Sequence, residues 1–346
     1  MNWRRFCCFI LLSVTLWPVF VAAQADVHFS QFYETSIIRN PALVGVFTDN
    51  FKITGYVRNQ WSSITSPYQT ALGNGEYRLT LGNASNDFLS FGILGFMDKA
   101  GEIDEKLSGI YPAINYNKCL NSNDQAYLSL GFTGGYMQYS FDPTKATFNN
   151  QFIGGYFSPS NPTKENLPVP NFNYTDLGIG LNFNITPAES KGVTYIVGAS
   201  GYHFNQPLFS YYHTVGRTLA IRWNVNGAII KELNEKVVVQ LQGNYARQGS
   251  YEEIIAGGLI GWRSVQQFSD PSFEIYGGAF YRNQDAIIPA IKLKYKNVSI
   301  GFSYDVNISS LKEASSSQGG FEITMSVSGN YPPLNGVNKK TVCPRF

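Results

Sequence analysis

The feature that most constrains the fold of this chain is a strict alternation of apolar and polar residues, clearest near its C-terminal end. In the stretch 297–306 the apolar or aromatic positions are Val298, Ile300, Phe302, Tyr304 and Val306. The stretch 321–328 repeats the pattern. Successive side chains of a β-strand point to opposite faces, so the pattern predicts strands with one apolar and one polar face. The apolar face requires either a protein core or lipid.

Similar runs recur along the chain and predict fourteen strands of about ten residues each. Their bounds are 50–61, 68–78, 88–97, 107–118, 125–137, 174–185, 193–204, 217–230, 236–246, 252–262, 272–281, 287–295, 297–306 and 319–329. A tilted strand of about ten residues crosses a bilayer, and bacterial outer-membrane barrels have an even number of strands. The pattern therefore predicts an all-β fold, a transmembrane antiparallel β-barrel. Residues such as Ile300 and Phe302 should face lipid, while Ser299, Ser303 and Asp305 should face the lumen.

The lengths of the connections give a second, independent indication. If both ends of the barrel chain lie in the periplasm, the odd-numbered connections lie outside the cell, where loops are longer. The longest predicted connection, 138–173, is the fifth, and the long connections 205–216 and 307–318 are the seventh and thirteenth. Several even-numbered connections are short, including 119–124 and 231–235. This parity favours a membrane barrel with 138–173 on the cell surface.

Composition also favours a barrel over a helical membrane protein. Aromatic residues make up 15% of the chain and charged residues only 14%, where about a quarter is usual in soluble domains. The mean hydropathy is −0.14, as expected if half of each strand faces water. Several aromatic residues near strand ends are interpreted as interfacial girdles, and an aromatic ligand site is the alternative. They are Tyr136, Tyr139, Tyr202, Tyr211, Tyr212, Trp223 and Trp262.

The two ends of the chain differ from the barrel region. Residues 1–25 have a basic start, an apolar run and small residues before a cleavage point near Ala23 or Ala25, which predicts a secretory signal peptide. The apolar run is short for a retained membrane anchor. Residues 26–48 are not strand-like and are expected to form an extended, plug-like segment inside or beneath the barrel. The barrel itself is assigned to 49–330, and 331–346 to a periplasmic tail.

The sequence contains few of the residue patterns that indicate an enzyme. Its three histidines, His28, His203 and His213, lack metal-ligand spacing, and there is no nucleophile elbow or phosphate-binding loop. The sequence therefore predicts no catalytic, cofactor-binding or metal-binding residues. A serine–histidine pair assembled inside the barrel is an alternative, because such sites form in space rather than in sequence. Under the favoured interpretation His203 is an ordinary residue of the lumen or of the aromatic belt, near a strand end.

Two lysines of one strand suggest contacts inside the barrel. Lys292 and Lys294 share the polar face of one strand and are interpreted as luminal charges, with Asp305 or Glu322 on neighbouring strands as candidate partners. A positive stripe along a substrate path is the sharper alternative.

Cys119 and Cys343 both fall on the predicted periplasmic side, which is oxidising. A disulfide that pins the tail is one hypothesis for Cys119 and Cys343, and two free thiols are the other.

Seven short segments, spread over the whole mature chain, resemble the PorP/SprF family of the type IX secretion and gliding-motility apparatus of Bacteroidetes. They are His28-Phe29-Ser30-Gln31-Phe32-Tyr33, Asn40-Pro41-Ala42, Arg58-Asn59-Gln60-Trp61, Tyr281-Arg282, Ile300-Gly301-Phe302-Ser303-Tyr304-Asp305, Phe321-Glu322-Ile323 and Cys343-Pro344-Arg345-Phe346.

The resemblance implies an integral outer-membrane barrel that is not an enzyme and needs no cofactor. It would be a component or an accessory of the type IX secretion system that binds secreted surface proteins and exports or anchors them. It implies three kinds of partner besides lipid: a secreted, adhesin-like cargo with a type IX C-terminal domain, the periplasmic ring of the secretion machinery, and peptidoglycan-binding lipoproteins. Nucleic acid is not expected. A porin or a transporter of hydrophobic substrates is the alternative function, because an open and a filled lumen have similar strand patterns.

Overall fold

A computed structural model describes residues 26–61, 66–81, 86–123, 125–165, 170–189, 192–211, 218–264, 273–310 and 312–330. The predicted signal peptide and the predicted tail lie outside these ranges.

Fourteen antiparallel strands form one closed barrel, in which each strand pairs with its chain neighbours and the last strand pairs with the first. The strands are β1 Phe51–Gln60, β2 Tyr68–Thr80, β3 Phe88–Ala100, β4 Glu105–Asn121, β5 Ala126–Ser140, β6 Asn171–Ile185, β7 Val193–Tyr202, β8 Arg222–Glu232, β9 Val237–Gln248, β10 Tyr251–Arg263, β11 Phe273–Arg282, β12 Ala286–Tyr295, β13 Val298–Asn307 and β14 Gln318–Gly329. The predicted count of fourteen is confirmed. The largest boundary difference is at β8, which begins five residues later than the predicted 217.

The predicted facing of the strands is also confirmed. On β13, Ile300 and Phe302 are exposed on the outer surface, while Ser303 and Asp305 are buried on the luminal side. Large apolar side chains are exposed on the outer surface of every strand of the barrel. A closed sheet with an apolar outer surface satisfies all its backbone hydrogen bonds in lipid. No described helix is long and apolar enough to cross a membrane.

The two ends of the barrel are distinguished by their connections. At one end, called the terminal end, β1 begins and β14 ends. There the backbone N–H of Asn50 donates to the carbonyl of Gly329 at 2.9 Å. The opposite end, here the loop end, carries the three longest connections, 141–170, 203–221 and 308–317. The long predicted loop 138–173 therefore lies at the end away from the termini, as the parity argument requires.

Three of the predicted girdle residues face outward and three do not. Tyr136, Trp223 and Trp262 are exposed on the outer surface. Tyr202 is instead buried in the lumen, and Tyr139 and Tyr211 stack in an inward aromatic cluster with Phe172 and Phe209. The prediction was wrong for these three because it used distance from the strand end and ignored which face each position takes. Tyr212 lies outside the described residues.

Candidate functional site

The lumen contains residues 26–48, called the luminal segment below. At the loop end, the backbone N–H of Asp26 donates to Gln248 Oε1 at 3.1 Å. Near the terminal end, Arg78 Nη1 donates to the carbonyl of Phe47 at 3.0 Å. Between these points the segment forms three short helical turns, Phe32–Glu34, Ser36–Arg39 and Pro41–Leu43. It therefore extends from near one end of the barrel to near the other.

Four buried charged side chains from four different strands form an ion-pair network in the lumen. Arg58 on β1 places its Nε 3.1 Å from Glu322 Oε1 on β14 and its Nη2 3.5 Å from Asp305 Oδ2 on β13. Arg282 on β11 places its Nη1 3.0 Å from the same Asp305 oxygen. The opposite charges offset much of the cost of removing each group from water.

The luminal segment is bound directly to this ionic network. The backbone N–H groups of Ser30 and Gln31 donate to the two carboxylate oxygens of Glu322, each at 2.7 Å. The Ser30 hydroxyl donates to Asp305 Oδ1 at 2.6 Å. Charge-assisted hydrogen bonds of this kind are stronger than neutral ones. Asp305 and Glu322 therefore have a structural role that alternation alone could not show, because their partners lie on the segment.

A second ionic cluster corrects the pairing expected for the two lysines. Lys292 and Lys52 both bind the buried carboxylate of Glu34, in the luminal segment, and the Lys52 Nζ–Glu34 Oε2 distance is 3.1 Å. Lys294 lies 3.1 Å from Glu274. The predicted partners Asp305 and Glu322 were wrong. Two arginines already pair with these carboxylates, and Lys292 is displaced by four residues along its strand from the position opposite Asp305. Both lysines do face the lumen, as predicted.

The Asn40-Pro41-Ala42 turn rests against glycines of the wall. The Asn40 amide Nδ2 donates to the Leu181 carbonyl at 3.0 Å, and its Oδ1 accepts from the Ala42 N–H at 2.9 Å, which caps the turn. A Cβ atom added at Gly131 would overlap the Pro41 carbonyl carbon, and one added at Gly180 would overlap Asn40 Oδ1. These two wall positions therefore need glycine so that the backbones can approach closely.

The half of the luminal segment nearer the terminal end is held by Glu76 and Asn115. Glu76 accepts from the Ser36 hydroxyl and, at 2.7 Å, from the backbone N–H of Gly45. Asn115 Nδ2 donates to the carbonyls of Ala42 and Val44 at 3.0 and 2.8 Å. Since Glu76 lies on β2 and Asn115 on β4, the segment is fixed here to a different part of the wall from that holding Ser30.

His203, just beyond β7, is part of the anchor at the loop end. Its Nε2 lies 2.7 Å from Asp26 Oδ2 and its Nδ1 lies 2.9 Å from Asp176 Oδ1, and Arg222 Nη1 lies 3.4 Å from Asp26. Both ring nitrogens face carboxylates, which suits a positively charged imidazolium that ties the segment down. A general base beside a serine would need one ring nitrogen for the hydroxyl, whereas here a carboxylate oxygen lies close to each ring nitrogen.

The remaining predicted contact concerns Cys119, at the terminal end of β4. Its Sγ lies 3.6 Å from Ser122 Oγ. Cys343 lies outside the described residues, so the Cys119–Cys343 disulfide stays a hypothesis. Within the described ranges, no three His, Cys, Asp or Glu side chains are placed to hold a metal ion.

The ionic network and the wall glycines were not predicted from the sequence. One feature of the sequence does indicate the network. Arg58, Arg282, Asp305 and Glu322 each stand in one of the short family-like segments, and all four carry a charge on the luminal face. Because β1, β13 and β14 are neighbours once a barrel closes, buried opposite charges on them had to meet. The contribution of Ser30 could not be inferred in this way, because the segment has no strand period.

Comparisons with solved structures find several barrels of low identity. The chain is similar to the TodX monoaromatic hydrocarbon channel, deltaS2 mutant, at 10% identity over 86% of this chain and 94% of that chain, with a TM-score of 0.48. It is similar to a Pseudomonas aeruginosa FadL homologue at 9% identity over 83% and 91%, with a TM-score of 0.47. The KdgM porin gives 9% identity over 80% and 98%, with a TM-score of 0.34.

None of the curated proteins compared with the chain matches it. A family model does match, that of the type IX secretion system membrane protein PorP/SprF, over residues 21–327. That range includes the luminal segment and nearly the whole barrel. The chain therefore belongs to the PorP/SprF family of type IX secretion system membrane proteins, and it is an integral β-barrel of the outer membrane.

Proposed function

We propose that this protein is a closed, non-catalytic barrel that holds a secreted, adhesin-like protein at the cell surface through its long loop. The observation that carries the proposal is the luminal segment, which runs from Asp26 near the loop end to Phe47 near the terminal end. Its hydrogen-bond partners stand on widely separated strands, among them Glu322 on β14, Glu76 on β2 and Asn226 on β8. A lumen filled in this way favours binding over conduction.

The space left beside the segment supports the same conclusion. A cavity of about 40 Å³ lies between the segment and the wall in the half nearer the loop end, lined mainly by aromatic and aliphatic side chains such as Phe96, Tyr111, Met137 and Tyr174. Binding sites for drug-sized molecules usually measure about 300–1,000 Å³. The cavity is too small for such a solute, so a porin or hydrophobic-substrate transporter is the less supported function.

The purified protein is expected to give no steady current in planar lipid bilayers. The hydrogen bonds of Ser30 and Gln31 and the ion pairs of Glu34 with the wall should keep the lumen filled. The measurement is single-channel recording after reconstitution, with a known porin as a positive control for insertion. Large, steady currents from the unmodified protein would contradict a closed barrel and favour the porin alternative.

The long loop presents an apolar hairpin to solvent. Its two short strands, Phe152–Ile153 and Tyr156–Phe157, are joined by Gly154 and Gly155, both with positive φ. The four apolar side chains are 60%, 61%, 81% and 42% exposed, in chain order. Soluble surfaces seldom expose large apolar groups side by side unless a partner covers them. The hairpin also has open strand edges to which an extended partner could add.

The base of the hairpin is well ordered, which makes it suitable as a rigid binding element. Gln151 is buried, its Oε1 accepts from the Phe148 N–H at 3.0 Å, and its carbonyl accepts from Asn161 Nδ2 at 3.0 Å. Lys145, earlier in the loop, pairs with Asp104 in the β3–β4 turn. Hydrogen bonds from Lys145 and Lys99 hold the pKa of Asp104 at about 2. The loop is thus tied to the barrel at the same end.

Replacing Phe152 and Tyr156 together by serine is expected to release the surface partner while the barrel stays intact. An aromatic hot spot contributes about 2 kcal/mol, so affinity should fall roughly 30-fold or more. The partner is first identified by co-purification from native membranes with mass spectrometry. Its retention at the surface is then measured by whole-cell labelling.

The matched control is Glu165→Ser, an exposed polar residue of the same loop. It should retain the partner at the level of the unmodified protein. If Phe152→Ser/Tyr156→Ser cells also display the partner normally, the hairpin is not the binding element.

The same co-purification addresses the other proposed partners. Members of the periplasmic ring or peptidoglycan-binding lipoproteins should be recovered through the terminal end of the barrel, independently of the hairpin. Their recovery with both the unmodified protein and the hairpin variant would place this chain among the core parts of the machinery. Recovery of the cargo alone would make it a dedicated cargo partner.

A further inference from the structure

Arg39, in the last turn of the helix Ser36–Arg39, is a buried cation without a carboxylate partner. Its side chain is 8% exposed, and it makes no ion pair with any residue of the part of the chain that the structure describes. The buried arginines Arg58, Arg263 and Arg282 each pair with at least two carboxylates. A guanidinium stays charged at any physiological pH, so its burial without a counter-charge is costly.

The groups that Arg39 does contact are neutral. Its Nη2 donates to the Gly243 carbonyl on β9 at 3.3 Å, and its Cζ lies 4.9 Å from the centre of the Phe32 ring. Its Nε is buried and has no hydrogen-bond partner. A carbonyl and an aromatic face stabilise a cation only in part, so both the charge and one donor remain uncompensated.

A second unpartnered donor lies at the same level of the wall. Asn226 on β8 is fully buried, and its Oδ1 accepts from Asn40 Nδ2 at 2.9 Å. That bond fixes the amide, and the Nδ2 of Asn226 has no partner. Asn226 is the register partner of Asn244, which directly follows Gly243, the residue that Arg39 binds. Arg39 and Asn226 therefore both contact the β8–β9 part of the wall, each with a buried donor that has no partner, and the Oδ1 of Asn244 there also has none.

Comparison with Arg78 shows why Arg39 is the better candidate for a ligand. Arg78 also lacks a carboxylate among the described residues, and its Nε and Nη2 have no hydrogen-bond partner. It is only 2% exposed, however, its Nη1 is bound to the Phe47 carbonyl, and its Cζ lies 3.7 Å from the centre of the Phe88 ring. Arg39 is 8% exposed, as are Gln242 and Asn244 on either side of the Gly243 that it binds, so solvent reaches this part of the wall. A small ion therefore has access to Arg39.

We propose that a small monovalent anion of the halide class binds between Arg39 Nε and the amide of Asn226. Such an ion neutralises the guanidinium and accepts from both orphan donors. Because Arg39 belongs to the luminal segment and Asn226 to the wall, the ion fastens the helix Ser36–Arg39 to β8 and β9. Halide is thus a structural ligand that helps to keep the lumen filled.

The direct test is anomalous diffraction from crystals of the unmodified protein grown in sodium bromide. The expected result is a bromide peak within about 3.5 Å of Arg39 Nε, a distance typical of a hydrogen bond to a large anion. Water alone at this position, in crystals saturated with bromide, would overturn the proposal. This measurement does not depend on the folding of any variant.

Stability provides a second test with matched variants. At constant ionic strength, exchanging gluconate for bromide should raise the unfolding midpoint of the unmodified protein by a constant increment for each tenfold rise in bromide. Arg39→Gln should lose this dependence. Arg247→Gln, which removes an exposed charge from β9, should keep it. Equal stabilisation by gluconate, or a bromide response retained in Arg39→Gln, would show a general salt effect and overturn the proposal.

Discussion

Replacing Arg58 with methionine is expected to lower the free energy of unfolding by about 3–5 kcal/mol, the usual effect of removing one partner from a buried ion pair. Arg58 lies 3.1 Å from Glu322 and 3.5 Å from Asp305, and both carboxylates are buried. The same carboxylates accept hydrogen bonds from Ser30 and Gln31. The loss should therefore loosen the luminal segment as well as the barrel seam between β1 and β14.

The measurement is urea unfolding in lipid vesicles, followed by the heat-modifiable shift of the barrel on gels. Arg247→Met is the matched control, because Arg247 is an exposed arginine on β9, on a distant part of the same barrel. The double variant Arg58→Met/Glu322→Gln should recover part of the loss, since it no longer leaves Glu322 as an unpaired charge. If Arg58→Met is no less stable than Arg247→Met, the network does not hold the fold together.

Gly131→Val is expected to expel the Asn40-Pro41-Ala42 turn from its seat and open the lumen. A Cβ atom at Gly131 would overlap the backbone of Pro41 and Ala42, and neither backbone can move without leaving the wall. Valine itself is favoured in β-strands, so the strand β5 should still form. The expected readout is steady single-channel current from the variant, where the unmodified protein gives none.

The matched control is Gly73→Val on β2. Gly73 faces outward, and a Cβ atom added there has no other atom within 4 Å. This variant gains the same side chain in a strand but leaves the lumen untouched, so it should stay silent. Currents of equal size from both variants, or from neither, would contradict the assigned role of the wall glycines.

The strands and their facing could be predicted because both follow from local sequence. A period of two, as in Ile300 to Val306, assigns each side chain to a face without knowledge of its partners. Even the run 68–78, interrupted by Gly73 and Gly75, forms a full strand, with Ala71 and Tyr77 on its outer face. The alternation of long and short connections then predicted which end of the barrel carries the connection 141–170.

The contents of the lumen could not be predicted in the same way. Ser30 and Asp305 are 275 residues apart in the chain, and the luminal segment has no period that would set its direction. Lys292 was therefore assigned a partner from a neighbouring strand, while its actual partner Glu34 comes from the segment. Tyr202 was placed in a lipid-facing girdle because it lies near a strand end, although its hydroxyl donates to the carbonyl of Ile37 in the segment.

The short segments that suggested the family now have physical roles. Asn40-Pro41-Ala42 is the turn seated on the wall glycines, and Ser30 and Gln31 are the donors to the ionic network. The arginines of Arg58-Asn59-Gln60-Trp61 and Tyr281-Arg282 supply its positive charges. These residues act on the luminal segment rather than on a substrate. This agrees with the proposed role of the barrel in binding and retaining a secreted protein.

Amide hydrogen exchange over residues 29–47 tests the central claim most directly, namely that the luminal segment is a fixed part of the barrel. The backbone N–H groups of Ser30, Gln31 and Gly45 donate to buried carboxylates, so they open only when the segment leaves its seat. Peptides covering 29–47 are predicted to exchange as slowly as those of β1 and β14. Exchange as fast as that of the loop 141–170 would contradict the claim.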